Sequence, residues 1–151
     1  AVESYRGSGS YLQSVCAGLL TIGGRHAPLA AARAVWRETS LEHLEARVRA
    51  GEIIPGFGNS FFKDAIDPAF SPVVDLMERM FPVQGQHLEA LTNAVWRGGK
   101  QIHPNAALVT AAVCDIVNFP DGVEEALFLL ARVPVWPAAI VTMKETVREA
   151  A

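Results

Sequence analysis

Apolar residues recur along this chain at the spacing of helices, and no run alternates convincingly enough for a strand. Tyr11 to Thr21 places Leu12, Val15, Cys16, Leu19 and Leu20 on the stripe of a buried helix, which Gly23-Gly24 stops. Pro28 suits the first turn of a second helix, reaching about Arg37, and its alanines (Ala30, Ala31, Ala32, Ala34) let a neighbour approach closely. Ser40 is placed to cap a third, with Leu41, Leu44 and Val48 on one face and Gly51 as its stop. Ser71-Pro72 opens a helix through Val74, Leu76, Met77 and Met80, which Pro82 ends. Gln84 to Arg97 makes another, finished by Gly98-Gly99. An almost wholly apolar helix, Ala106 to Phe119, follows His103-Pro104 and should be central, with His103 as its cap. Asp121 begins one more through Leu127, Leu129 and Leu130, and a last one carries Trp136 and Ile140. The pattern predicts an all-α protein of seven or eight helices.

One stretch interrupts the periodicity. Gly51 to Lys63 reads Gly-Glu-Ile-Ile-Pro-Gly-Phe-Gly-Asn-Ser-Phe-Phe-Lys. Pro55 resists a helix interior, and Gly56 and Gly58 allow backbone angles that other residues avoid. Apolar residues on both sides suggest a tight loop pinned into the core, with its backbone amides facing outward. An ordinary connection between helices has the same composition, and both readings stay open.

Composition narrows the function classes. The chain has 151 residues, half of them hydrophobic, enough for one domain with a sizeable core. A formal charge of −3 and the lack of any basic run give no footprint for nucleic acid. No apolar stretch reaches the roughly 18 residues a membrane span needs. The start, Ala1-Val2-Glu3-Ser4, lacks the order of a signal peptide. Cys16 and Cys114 sit alone on apolar patterns, as buried thiols would, which suits a reducing cytoplasm. The absence of Met at position 1 fits either a processed start or a piece of something longer.

Four collinear segments resemble the citrate synthase superfamily, especially the citryl-CoA lyase portion of ATP-citrate lyase. The first is Gly18-Leu19-Leu20-Thr21-Ile22-Gly23-Gly24-Arg25-His26 with the Ala-rich helix after it. The second, Ile53-Ile54-Pro55-Gly56-Phe57-Gly58-Asn59 with Lys63 and Asp67-Pro68, is similar to the family's I-P-G-F-G-H…D-P-R loop. His103-Pro104-Asn105-Ala106-Ala107 falls where the family reads P-N-V-D, and Leu130 to Trp136 is similar to L-A-R-T-V-G-W. The resemblance covers nearly all of this chain but only the C-terminal part of a full-length synthase. It implies a citrate synthase-like small, CoA-binding domain over 25–120, with large-domain-like helices at 1–24 and 121–151.

The family's chemistry makes or breaks a carbon–carbon bond beside a CoA thioester. It needs a carboxylate base, two His donors and an Arg for a keto acid's carboxylate. By resemblance, His26 stands at the first His position, just before a helix whose positive end favours a neutral imidazole. Asn59 takes the second His position; an amide donates a hydrogen bond but transfers no proton. Arg132 matches the carboxylate-binding Arg. Ala107 occupies the position of the catalytic Asp, and Asp115, eight residues on, lies roughly 12 Å away at 1.5 Å per residue. The Arg of D-P-R is Ala69. Losing two acid–base groups worth about 10²–10⁴-fold each should all but abolish the chemistry. In the family the loop backbone holds the adenine and a basic residue reaches the phosphates, features that Ile54, Pro55, Gly56, Phe57, Gly58 and Lys63 keep. The plainer alternatives are a His packed at a helix start, a helix-end Arg and a solvated Lys.

Other constellations carry less. His43 and His87 read as residues of solvated helix faces, and no metal-binding or phosphate-loop motif exists. Trp36, Trp96 and Trp136 read as core or interface anchors. The expectation is therefore a cytoplasmic domain that binds an acyl-CoA and a small keto acid or citrate-like ligand, without metal, and is catalytically impaired. The alternative is a non-catalytic subunit whose apolar faces at Tyr11–Thr21 and Ala106–Phe119 need a partner, in a homo-oligomer or hetero-oligomer.

Overall fold

In this computed structural model residues 10, 13, 28–59 and 71–132 are described, the side chain of residue 132 excepted. Among them the regular structure is six helices and no strand: α1 (Leu29–Trp36), α2 (Leu41–Arg49), α3 (Ser71–Met80), α4 (Pro82–Arg97), α5 (Ala106–Ile116) and α6 (Val123–Arg132). The all-α expectation is met. The expected helices at Tyr11–Thr21, apart from helical Gln13, and at Trp136–Ile140 lie outside the described residues. By its contacts the chain forms two units, 28–124 and 1–27 with 125–151.

Within 28–124, α1 packs on α5, while α2 and α3 pack on α4. Each pairing follows from the sequence. Ala32, fully buried, lets α1 lie close to α5. Ser40 Oγ accepts from the His43 N–H (3.2 Å) and caps α2, whose Leu44 and Val48 enter the core. A Cβ added at Gly98 would fall 2.5 Å from Val48 Cβ, so only glycine lets the end of α4 meet α2. The shared core joins Val35, Trp36, Leu44, Val48, Ile54, Leu91, Val95 and Leu108, among others.

Several boundaries differ from the sequence reading. Pro82 opens α4 as its first residue, where its missing N–H costs nothing, instead of standing between two helices. α5 ends at Ile116, because Asn118 takes a left-handed conformation (φ 56°) and turns the chain. On α3 only Val74 and Met77 are buried; Leu76 is 51% and Met80 64% exposed.

One buried cation organises the far end of this unit. Arg33 is 2% exposed yet sits on the helix face that carries Leu29 and Trp36 inward. Its guanidinium donates to the Phe119 carbonyl (2.6 Å), the Pro120 carbonyl (3.0 Å) and Glu124 Oε2 (2.9 Å). Glu124, 1% exposed, also accepts from the Gly122 N–H (3.0 Å). Asp115 and Asp121 complete the shell at 3.5 and 3.3 Å. A buried charge survives only when paired and hydrogen-bonded, and here five acceptor groups share it.

Candidate functional site

The Gly/Pro turn is held by the segment that leads into α5. Phe57 and Pro104 form an isolated antiparallel bridge. The Gly58 N–H donates to the His103 carbonyl and the Asn105 N–H to the Gly56 carbonyl, each at 2.8 Å. Asn105 then works in both directions. Its Nδ2 donates to the Gly58 carbonyl and its Oδ1 accepts from the Ala107 N–H, each at 2.9 Å, so one side chain caps α5 and ties it to the turn. Gly56 has φ +89°, and a Cβ there would sit 2.8 Å from Leu108 Cβ and 3.2 Å from Ala32 Cβ. Glycine is needed at that point for angle and for space.

These bonds correct one expectation. The amides of Phe57 and Gly58 do not face outward: the first donates to the Ile54 carbonyl (3.2 Å), the second to His103. Ile54, Gly56 and Phe57 are buried. What the turn presents is Glu52, Ile53, which is 88% exposed, and the half-buried Pro55 and Asn59. His103 is not the cap of α5 either; Asn105 is, because its side chain reaches the Ala107 N–H while the His103 ring meets Trp96 edge-on at 5.4 Å.

Cations gather beside the turn. Lys100 Nζ donates to the Glu52 carbonyl (2.5 Å), and Arg47 Nε to Glu52 Oε2 (2.9 Å). Sequence reasoning missed both, since Lys100 is 48 residues from its partner and no local pattern links them. Of the residues singled out, Ile54 to Gly58 form the turn that Asn105 holds, and Asn59 follows it directly in the chain. His26 and Lys63 lie outside the described residues. Arg132 is the last residue of α6, its side chain also outside.

Ala107, where the sequence resemblance puts a base, offers only a methyl group. Ala107 is buried, and its N–H is spent on Asn105. Asp115 is fully engaged with Arg37, at 2.8 Å to Nε and 2.7 Å to a terminal nitrogen. Burial pushes its carboxyl up, but the Arg37 hydrogen bond and charge, with Arg33 behind, outweigh this and hold it below the ordinary range. It is a structural anion. Cys114 is a buried free thiol; burial foremost, with Glu124 nearby, pushes it up and away from the reactive thiolate.

The histidines divide. His43 is exposed and contacts Glu38 through Nδ1 (3.0 Å), as a solvated face would have it. His87 is different: half-buried, with Nε2 2.6 Å from the Trp36 carbonyl and its ring edge-on to Trp36 at 4.8 Å. Among the described residues no three His, Cys, Asp or Glu side chains are grouped to hold a metal ion, and no helix is long and apolar enough to cross a membrane.

Comparison with known proteins gives this geometry its relatives. The family model "Citrate synthase, C-terminal domain" matches residues 10–149. A solved structure, citryl-CoA lyase from Hydrogenobacter thermophilus, superposes with a TM-score of 0.75 at 24% identity, over 93% of this chain and 59% of that one. The chain thus spans somewhat over half the length of that lyase, and the likeness is one of fold. No curated protein matches. Since the family match takes in nearly every residue, from before the Gly/Pro turn to beyond α6, the chain belongs to the citrate synthase family, in the part that forms its C-terminal domain.

Proposed function

We propose that this chain is a CoA-thioester-binding domain of the citrate synthase family that has lost the proton-transfer chemistry. The observation that carries the reading is Asn105, which ties the turn to α5 although the second residue of that helix, where the resemblance puts the base, is Ala107. A turn fixed by three hydrogen bonds to the segment before α5 and backed by the core is preorganised, and preorganisation lowers the ordering cost of binding. With two of its amides used internally, the turn would meet an adenine with the exposed edge at Glu52 to Pro55. Lys100, half-buried against Glu52, would offer its charge to the phosphates beside Lys63. His26 would orient the thioester and Arg132 a keto acid or citrate-like ligand. Residues 25–120 would be the small domain, with 1–24 and 121–151 belonging to the large one.

Calorimetry with CoA and acetyl-CoA tests binding. Heat that saturates in the micromolar to millimolar range is expected, and Lys100→Ala should weaken it. No heat at millimolar ligand overturns the reading. Catalysis has its own test: acetyl-CoA with oxaloacetate should release no thiol above the uncatalysed background. Release that depends on His26 would show that a base is supplied elsewhere.

A second reading, a non-catalytic subunit completed by a partner, draws on α3. Of the expected partner face at Ala106–Phe119, Leu108, Val109, Ala111 and Ala112 are in this chain's own core, and Val117 and Phe119 are exposed. Val73, Leu76 and Met80, at helical spacing on α3, are exposed as well, with Phe81 and Val83 next to them. Light scattering decides: self-association that Leu76→Glu abolishes supports this reading, and a monomer at all concentrations removes it for the chain alone.

A further inference from the structure

A cavity of about 280 Å³ opens between α3, α4 and the His103–Pro104 segment. Its floor is apolar: Val74, Leu88 and Pro104 are buried, and Trp96 supplies a ring. That ring is fixed, because its Nε1 donates to the Ile102 carbonyl (2.9 Å) and the His103 ring stands edge-on at 5.4 Å. Besides Thr92, whose hydroxyl donates to the Leu88 carbonyl (2.8 Å), four polar side chains line the cavity: Glu78, Glu89, Asn93 and His103. Among the described residues none of the four makes a side-chain hydrogen bond or an ion pair. The cations on the same two helices are turned elsewhere, Arg79 to the Asp75 carbonyl (3.3 Å) and Arg97 to Glu45 (3.2 Å). Two unpaired carboxylates at the rim of a cavity that an indole also lines make a site for positive charge, and a mostly apolar concavity with a few polar groups is what small-molecule sites look like.

We propose that this cavity is a second ligand site, for an organic ammonium with a short apolar or aromatic body. The body would lie on Trp96, Val74 and Leu88, and the ammonium would be shared by Glu78 and Glu89 with Asn93 beside it. The volume, near the small end of the roughly 300–1,000 Å³ found for ligand sites, limits the occupant to a compact amine. The site is independent of the thioester reading, and it is assayed with no CoA present.

The experiment is two-dimensional NMR of the whole chain, following the Trp96 indole N–H and the Asn93 side-chain amide. Butylamine, phenethylamine and tryptamine are titrated, with phenethyl alcohol as the uncharged control. At least one amine should shift both signals saturably in the millimolar range. The alcohol should bind about tenfold or more weakly, in line with the energy of a desolvated cation over an indole between carboxylates. The double variant Glu78→Gln, Glu89→Gln changes only exposed side chains, so its free spectrum should stay folded while amine binding drops by a similar factor. Three results overturn the proposal: no saturable shift from any of the amines, equal binding of amine and alcohol, or undiminished binding to the double variant.

Discussion

Single residues carry more of this structure than their size suggests, and Gly56 and Gly58 separate two reasons for it. Both have positive φ, +89° and +83°. At Gly58 an added Cβ meets nothing within 4 Å, so Gly58→Ala should cost only the conformational penalty, on the order of 1 kcal/mol. At Gly56 the same methyl collides with Leu108 and Ala32, so overpacking adds about 1–3 kcal/mol to that penalty. Urea denaturation of the two variants side by side checks this, and equal losses would deny the close approach. Arg33 makes the complementary case for charge. Arg33→Met leaves Glu124 buried and unpaired, an expected loss of about 3–5 kcal/mol, whereas Arg33→Met with Glu124→Leu should regain most of it. Additive losses in that double-mutant cycle would show that the pair is not coupled.

At the scale of elements, Asn105 joins two jobs that a cap residue does not ordinarily combine. Asn105→Ala should remove the cap of α5, about 0.5–2 kcal/mol, and also free the Gly58 carbonyl. Asn105→Asp keeps the acceptor for the Ala107 N–H but loses the donor to Gly58. Hydrogen exchange distinguishes them: Ala should speed the Gly58 amide and the first turn of α5 together, Asp chiefly Gly58. If both variants affect α5 alone, the side chain does not hold the turn. Helix α2 was legible in sequence because everything that defines it is local: a Ser cap, apolar residues at i, i+3 and i+7, and a glycine stop. Pro82 misled because proline both ends one helix and begins another, and only the Phe81 backbone between them decides. Arg33 was illegible for a different reason. A periodic pattern assigns arginine to solvent, and its acceptors lie 86 to 91 residues away. The turn is legible in sequence but its amide directions are not, since composition says where a chain bends and nothing of which segment lies beside it.

For the molecule as a whole, the unit 28–124 is closed by charges that connect α1 to the end of α5 and the start of α6, and this predicts its response to acid. Asp115 is held below its ordinary value of 3.8: burial works against this, but the Arg37 hydrogen bond and charge, with Arg33, prevail. Glu38 is held below 4.5, first by the Ser40 N–H and then by His43. In both cases the unfolded chain takes up protons at a higher pH than the folded one. Stability from these groups is therefore complete above the ordinary carboxylate values and is lost as pH falls through the depressed ones. The midpoint of urea unfolding should be nearly flat from about pH 6 to pH 5 and fall steadily below about pH 4. Asp115→Asn removes the ionisable group while keeping its shape. It should lower stability near neutrality, where the Arg37 pair is intact in the parent, and flatten the acid limb, so the two curves converge as pH drops. The convergence matters more than the loss, because a purely steric defect would displace the curve by a constant amount at every pH. Parallel curves would mean that the Arg37–Asp115–Arg33 cluster positions the helices without contributing charge-dependent stability, and acid unfolding would then have to start from carboxylates elsewhere in the chain.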